Sequence, residues 1–297
     1  MPEIGQTSED SPQDEEPKLV VSGTMGFEEV DYPTGRLDRT VGGSGLYAAI
    51  AAAYHAPTVL VAAVGSDIRV AGLRGVLPKQ LRTNHVLETV GESFSWRARY
   101  ADFCATPQTL ATSLGPLSKR RVLPNMRGCG TLLCTNEDPA FQLRLLGSIK
   151  PQALIYGVNG VWMSLRRQDV LCIGAQAKVL LISGDEWRHW PTDQREPKDD
   201  RIVVVSRAAD GVEVVSGRHH MVLRAPPGMD NIVDVTGAGD VLAGGVSGFL
   251  SCLNRPIDFN EVVRAVTANE SIIALKLKSH GARDFAARVC DASANLG

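Results

Sequence analysis

Along the chain, short apolar runs alternate with stretches whose apolar residues recur at helical spacing. Leu19-Val20-Val21 begins a buried strand, and Thr58 to Val64 reads as another that ends at Gly65-Ser66-Asp67. Further buried strands are predicted at 131–134, 153–158, 178–182 and 201–205. Leu46, Ala49, Ile50 and Ala53 share one helical face, helices fit at 139–147 and 164–173, and a last long one fits at 258–276. Leu242, Val246, Phe249, Leu250 and Leu253 define one more. Its Ala243, Gly244, Gly245 and Gly248 let another backbone approach closely. Each interior glycine costs about 1 kcal/mol relative to alanine, so packing must compensate.

Strands alternating with helices predict an α/β fold with a mostly parallel sheet covered on both faces. The segments around 30–41 and 86–101 interrupt that pattern. Phe94 to Ala101 alternates apolar and polar, as a strand with one wet face does. These segments predict a small β appendage. Residues 1–17 are acidic, rich in Ser, Pro and Gln, and nearly free of large apolar groups, which predicts a disordered tail before one domain spanning 18–297.

Composition narrows the function by exclusion. The 297 residues carry a formal net charge of −2, with no basic field for nucleic acid and no apolar run of membrane-spanning length. The N-terminus shows no charged-plus-apolar leader pattern, which leads to the expectation of a cytoplasmic protein. Six scattered cysteines lack paired metal-ligand spacing and are expected to be reduced and mostly buried.

The densest chemistry lies in Asp234-Val-Thr-Gly-Ala-Gly-Asp240. Gly237 and Gly239 can adopt positive φ and aim successive N–H groups into one concavity, and the following helix adds unpaired donors and a positive dipole end. Such a site suits a phosphate. Asp240 stands in the first turn beside it; read alone, it is equally a helix cap. A rival glycine motif, Gly43-x-Gly45-x-x-Ala48 with Asp67 downstream, matches a dinucleotide fingerprint. That motif needs a buried strand directly before Gly43, and the preceding Tyr32-Pro-Thr-Gly-Arg-Leu-Asp-Arg-Thr is polar and turn-rich.

The Asp234–Asp240 stretch with its glycine-rich helix closely resembles the C-terminal signature of the ribokinase-like (phosphofructokinase-B type) sugar and nucleoside kinases. Gly42-Gly43 before a small-residue helix, Val64-Gly65-Ser66-Asp67, Phe94 to Tyr100 with Thr109 to Leu114, and Asn159 with Trp162 extend the resemblance from Lys18 to Ala282. It implies a three-layer α/β/α sandwich, with a small β lid formed by segments of about 28–42 and 86–115. The implied activity is ATP- and magnesium-dependent transfer of a phosphoryl group to a sugar, sugar derivative or nucleoside. The resemblance also allows a monovalent cation and a homodimer through the lid.

By the same resemblance, Asp240 is the general base, remaining ionised, and Gly237, Ala238 and Gly239 hold the γ-phosphate. Ser183, Arg207 and Thr236 face ATP. Glu28, Gly42, Gly43, Tyr47, Arg99 and Asn159 face the acceptor, and Glu186 organises magnesium. Several positions depart from the family pattern. Ser183-Gly-Asp-Glu186 keeps the acid of a usual Asn-x-x-Glu but is also a capping box. Ser206-Arg-Ala-Ala-Asp-Gly211 replaces a lysine-bearing turn, and Tyr156 stands where an aspartate is common. Glu28 or Glu29 is one methylene longer than the usual aspartate, and Tyr47 replaces an asparagine. Packing alone also accounts for Tyr47, and solvation alone for Arg99 and Arg207. These departures leave a second reading, a family member that binds a ligand or partner with little or no turnover.

Overall fold

The computed structural model describes residues 17–118, 126, 128–195, 201–225 and 231–294. The expected tail lies outside them except for Pro17. All seven residues of Thr58–Val64 are buried, a pattern that requires cover on both faces of a sheet.

In chain order the strands are β1 (Leu19–Ser22), β2 (Gly26–Tyr32), β3 (Gly35–Gly42), β4 (Thr58–Val64), β5 (Leu81–Glu88), β6 (Phe94–Arg99), β7 (Gln108–Ser113), β8 (Thr131–Cys134), β9 (Ala153–Gly157), β10 (Val179–Ser183), β11 (Ile202–Ser206), β12 (Val212–Ser216) and β13 (His219–Leu223). The helices are α1 (Ser44–Ala53), α2 (Pro139–Ile149), α3 (Gly160–Leu165), α4 (Arg167–Gln176), α5 (Gly184–His189), α6 (Ala238–Ser251), α7 (Phe259–Ala268), α8 (Glu270–Leu277) and α9 (Gly281–Ala294).

Among the described residues the main sheet has nine strands in the order β13-β12-β11-β10-β9-β8-β1-β4-β5. Its pairings are parallel from β11 through β5, with Leu19 opposite both Thr58 and Thr131, and antiparallel only at the β11-β12-β13 edge. One core packs Leu19, Val21 and Leu60 against α1, α6, α7, α8 and α9. A second, on the opposite face, packs Val20, Val59 and Val61 against α2 and α4. This is a three-layer α/β/α sandwich. The close approach invited by the α6 glycines is to α1: a Cβ on Gly244 would lie 2.0 Å from the Ala48 carbonyl oxygen, and one on Gly248 2.6 Å from that of Ala52.

A four-stranded sheet, β3-β2-β6-β7, stands apart from the main one. It draws on Gly26–Gly42 and Phe94–Ser113, while β5, whose end falls in the segment around 86–101, pairs with β4 at the edge of the main sheet. Three other differences have local causes. The long helix at 258–276 is two helices broken at Asn269, whose amide donates to the Ala265 carbonyl at 2.7 Å and whose carboxamide oxygen meets His55 at 3.0 Å. The β12–β13 hairpin was not read, because β13 is mostly exposed. Of the six free cysteines only Cys129 and Cys134 are buried, while Cys104, Cys172 and Cys252 are exposed. No helix among the described residues is long and apolar enough to cross a membrane.

Candidate active site

A cavity of about 1430 Å³ lies at the carboxyl ends of the parallel strands, where open α/β sheets bind ligands. Thr24 reaches it after β1, Asn136 after β8, Asn159 after β9, Ser183 from the end of β10 and Ser206 from the end of β11. The four-stranded sheet closes one side with Phe94 and Trp96 of β6, continued by Tyr100 and Phe103 just after that strand. The turn after β6 reaches the opposite wall, where Thr106 donates a hydrogen bond to Asp185.

The Thr236–Asp240 loop forms the base of the cavity. Gly237 is the N-cap of α6 at φ 79°, and a Cβ there would meet the Tyr47 ring at 2.4 Å, so both conformation and space demand glycine. No side chain caps α6, which leaves first-turn N–H donors for an anion. Gly239 is exposed, with nothing near its Cβ position. Thr236 is buried, and its N–H donates to Asp234 at 2.8 Å.

Asp240 is half-buried in the same cavity. Desolvation pushes its carboxyl up to about 7, opposed by a hydrogen bond from Ser44 and by Lys276, and assisted by the negative charge of Glu186. Lost hydration therefore opposes the ionised form that the resemblance implies for Asp240. A base poised near neutrality suits proton abstraction better than an ordinary aspartate.

Glu186 closes the capping box. Its Oε2 accepts from the Ser183 N–H at 3.0 Å and the Ser183 hydroxyl at 2.8 Å, while its own N–H donates to Ser183 Oγ at 3.2 Å. Burial raises its pKa, against the Ser183 and Gly160 hydrogen bonds. Among the described residues no three His, Cys, Asp or Glu side chains cluster at metal-binding spacing. Arg207 lines the cavity, but its Nε donates to Glu213 at 2.8 Å. Asn159 lines it as well and caps α3 by accepting from the Val161 N–H at 3.1 Å.

The acceptor-side expectations separate. Glu28 and Gly43 line the cavity, but both Glu28 oxygens are engaged: Oε1 accepts from the Gly43 N–H at 3.0 Å and Oε2 from the Tyr47 hydroxyl at 2.8 Å. Burial pushes Glu28 up to about 7, with Asp234 adding to it and the Tyr47, Lys276 and Gly43 contacts opposing. Gly42 lies against that carboxylate, where a Cβ would sit 2.2 Å from Oε2. Tyr47 is wholly buried and packs beneath Gly237 rather than stacking on a ligand. Arg99 is a correction. The strand alternation that turns Phe94 and Trp96 inward turns Arg97 and Arg99 outward, and Arg99 meets Asp31 at 3.6 Å on the far face of the lid.

Residues that the sequence did not single out complete the site. Asn136 accepts from the Trp162 indole at 2.7 Å, and both line the cavity. Tyr32 and Tyr100 stack with centroids 5.2 Å apart, and the Tyr32 hydroxyl donates to Asp234 at 2.6 Å and lies 3.0 Å from Thr236 Oγ1. Leu223, Val266 and Ile273 form an apolar corner beside the loop. The one available signal was Lys276, a lysine embedded in Ile-Ile-Ala-Leu-Lys-Leu. The dinucleotide rival fails on context: Gly43 follows β3, a largely exposed lid strand, and Asp67 accepts from the Ser93 N–H at 2.9 Å.

The pfkB family carbohydrate kinase model matches residues 172–284, from within α4 through the glycine loop to the start of α9. No curated protein sequence matches the chain. A Burkholderia thailandensis nucleoside kinase, solved in complex with ADP-inosine, is similar over 94% of this chain and 95% of its own, at 16% identity and a TM-score of 0.70. A Methanocaldococcus jannaschii nucleoside kinase, an archaeal member of the ribokinase family, matches over 93% and 99% at 12% identity and a TM-score of 0.70. A Cryptococcus neoformans ribokinase in complex with ADP matches over 94% and 99% at 15% identity and a TM-score of 0.69. At these identities the likeness establishes the fold. The resemblance read from the sequence thus holds: the fold is ribokinase-like, and it carries the pfkB family match over residues 172–284. Match and fold together support a sugar or nucleoside kinase in general.

Proposed function

We propose that this protein is an ATP- and magnesium-dependent phosphotransferase whose acceptor is an alcohol group of a sugar, sugar derivative or nucleoside. The observation that carries this reading is the pairing of an uncapped helix terminus with a carboxylate near neutrality, Asp240, in one lid-covered cavity. The residues present fit both groups. The Gly237 and Gly239 N–H groups suit phosphate oxygens, the Ala238 N–H being engaged by the Val235 carbonyl at 3.1 Å and the Thr236 N–H by Asp234, and the Leu223, Val266 and Ile273 corner suits an adenine ring. Glu186 would offer its carboxylate to magnesium in the cavity that also holds Asp240, close enough for its charge to raise Asp240, which stays free to act as the base. One or two carboxylates are what magnesium takes from protein when phosphates supply the rest.

ATP would supply the phosphoryl group and magnesium the positive charge that its oxygens need. The chain contributes position and proton handling. The N–H groups of Gly237 and Gly239 hold the anion, and Asp240 orients the acceptor hydroxyl and takes its proton. Arg207, fixed by Glu213, places a guanidinium on the nucleotide side. The lid aromatics exclude water and present flat walls, which favours an acceptor with a ring base, a nucleoside, over a simple sugar. Asn136 and Asn159 offer polar contacts to its hydroxyls. Cytoplasmic location and pairing of two copies through the lid sheet belong to the same proposal. The test is a panel of sugars and nucleosides with ATP and magnesium, scored by ADP release and product mass. A phosphorylated product supports the reading.

A second reading, a protein that binds ligand or partner with little turnover, draws support from Glu28, whose two oxygens are already taken. Tight ligand binding without product would favour it.

A further inference from the structure

The oxygen atoms behind the glycine loop are already occupied by a cation that belongs to the chain. Lys276 is wholly buried, as is Asp234. The Lys276 Nζ donates to Asp234 Oδ2 at 2.8 Å and to the Asp234 main-chain oxygen at 3.2 Å, and stands 5.1 Å from the centre of the Tyr47 ring. The other Asp234 oxygen accepts from the Thr236 N–H and the Tyr32 hydroxyl. The Gly281 N–H approaches Oδ2 at 3.4 Å. One carboxylate therefore joins α8, the lid, the start of α9 and the first residue of the anion-binding loop.

The family resemblance allows a monovalent cation. A buried carboxylate with an adjacent carbonyl, at the base of a phosphate-binding loop, is a donor set suited to one. An ammonium carries the same charge as a potassium ion at nearly the same size. Here it arrives on a side chain, packed over an aromatic face that also favours a cation. The donors at Asp234 consequently do not fit an added ion. We infer that Lys276 is a positioning residue: a built-in cation that fixes Asp234, and through it the Thr236–Gly239 loop, so that the protein needs no external monovalent cation.

The inference rests partly on the nucleotide-binding reading, so its first test avoids nucleotide. Melting temperatures of the full chain are measured in potassium, sodium and N-methylglucamine chlorides at equal ionic strength. The wild type is expected to melt at the same temperature in all three, and a potassium-specific rise of several degrees would overturn the inference. Lys276→Ala should gain such a rise, because potassium or ammonium can enter the space; a folded variant indifferent to all three salts would also overturn it.

ADP titration calorimetry supplies the second readout. Wild-type Kd should agree within about twofold across the salts. Lys276→Ala should bind at least tenfold more weakly in N-methylglucamine, with recovery in potassium. If Lys276→Ala does not fold, Lys276→Met combined with Asp234→Asn removes both charges together; unchanged ADP affinity in that variant would refute the positioning role. A wild type that binds no ADP would refute the kinase reading, and the melting series would still decide the cation question.

Discussion

At one end of the cavity a contiguous stretch, Thr236 to Asp240, supplies the backbone and the carboxylate to which the proposed function assigns anion binding and proton transfer. At the other, the wall is gathered from Thr24, Phe94, Tyr100, Asn136 and Trp162, which come together only through the sheet and its lid. The loop end is constrained by backbone: Gly237 has one permitted residue type and Tyr47 packs directly beneath it. The acceptor end is constrained by side chains whose roles depend on partners distant in sequence. A site built from backbone tolerates few changes, whereas a wall built from side chains can vary without disturbing the fold.

The largest expected effect lies at the loop end. Gly237→Ala combines a left-handed φ, costing about 1–2 kcal/mol for a residue with a Cβ, with a contact 2.4 Å from the Tyr47 ring. It should lower the melting temperature by several degrees and abolish measurable nucleotide binding. Gly239→Ala, two residues away in open space, should fold like the wild type. Equal melting temperatures for both variants would remove the backbone argument.

The lid offers a paired test of intermediate size. Trp96→Ala removes an inward aromatic wall and should raise acceptor KM about tenfold, roughly 1.4 kcal/mol, just under the about 1.5–3 kcal/mol of fully burying a large apolar side chain. Arg99→Ala, on the outward face, should leave kcat and KM within twofold. A large KM effect from Arg99 would restore it to the acceptor side.

How much of this was legible follows the same division. The buried runs at β1, β4, β8 and β11 could be read because parallel strands covered on both faces lack polar interruptions. The α9 helix was missed although Ala282, Phe285, Ala286 and Val289 recur at helical spacing and are buried. The β12–β13 hairpin was missed because an edge strand carries little apolar pattern. In the cavity, the Thr236–Asp240 stretch is contiguous and so is legible as a unit in the sequence. Arg99 follows the resemblance to the acceptor side, although the alternation from Phe94 to Ala101 already sets it on the face opposite Phe94 and Trp96. Tyr32 and Lys276 were invisible as partners of Asp234 because they lie 202 and 42 residues from it in sequence.

Glu186→Gln sharpens the metal side with a smaller effect. Glutamine preserves a capping-box side chain, so stability should change by less than about 1 kcal/mol, while the magnesium concentration for half-maximal turnover should rise. Superimposable magnesium titrations would leave Glu186 as a cap alone. The pH dependence is gentler still. The protonated form of Asp240 cannot accept a proton, and its carboxyl is held up to about 7 by desolvation. Turnover should therefore fall as pH drops below about 7 and level off above it; a flat profile from pH 6 to 8 would assign the base elsewhere.

The most direct measurement is the turnover rate of Asp240→Asn beside the wild type, on the acceptor found in the ADP-release panel. Asparagine keeps shape and polarity but cannot take the hydroxyl proton, and loss of a general base costs about 10²–10⁴ in rate. Asp240→Asn should fold and bind ATP as well as or slightly better than the wild type, with kcat reduced by that factor. Equal kcat for the two proteins would contradict it and show that the Thr236–Asp240 loop is not the catalytic centre.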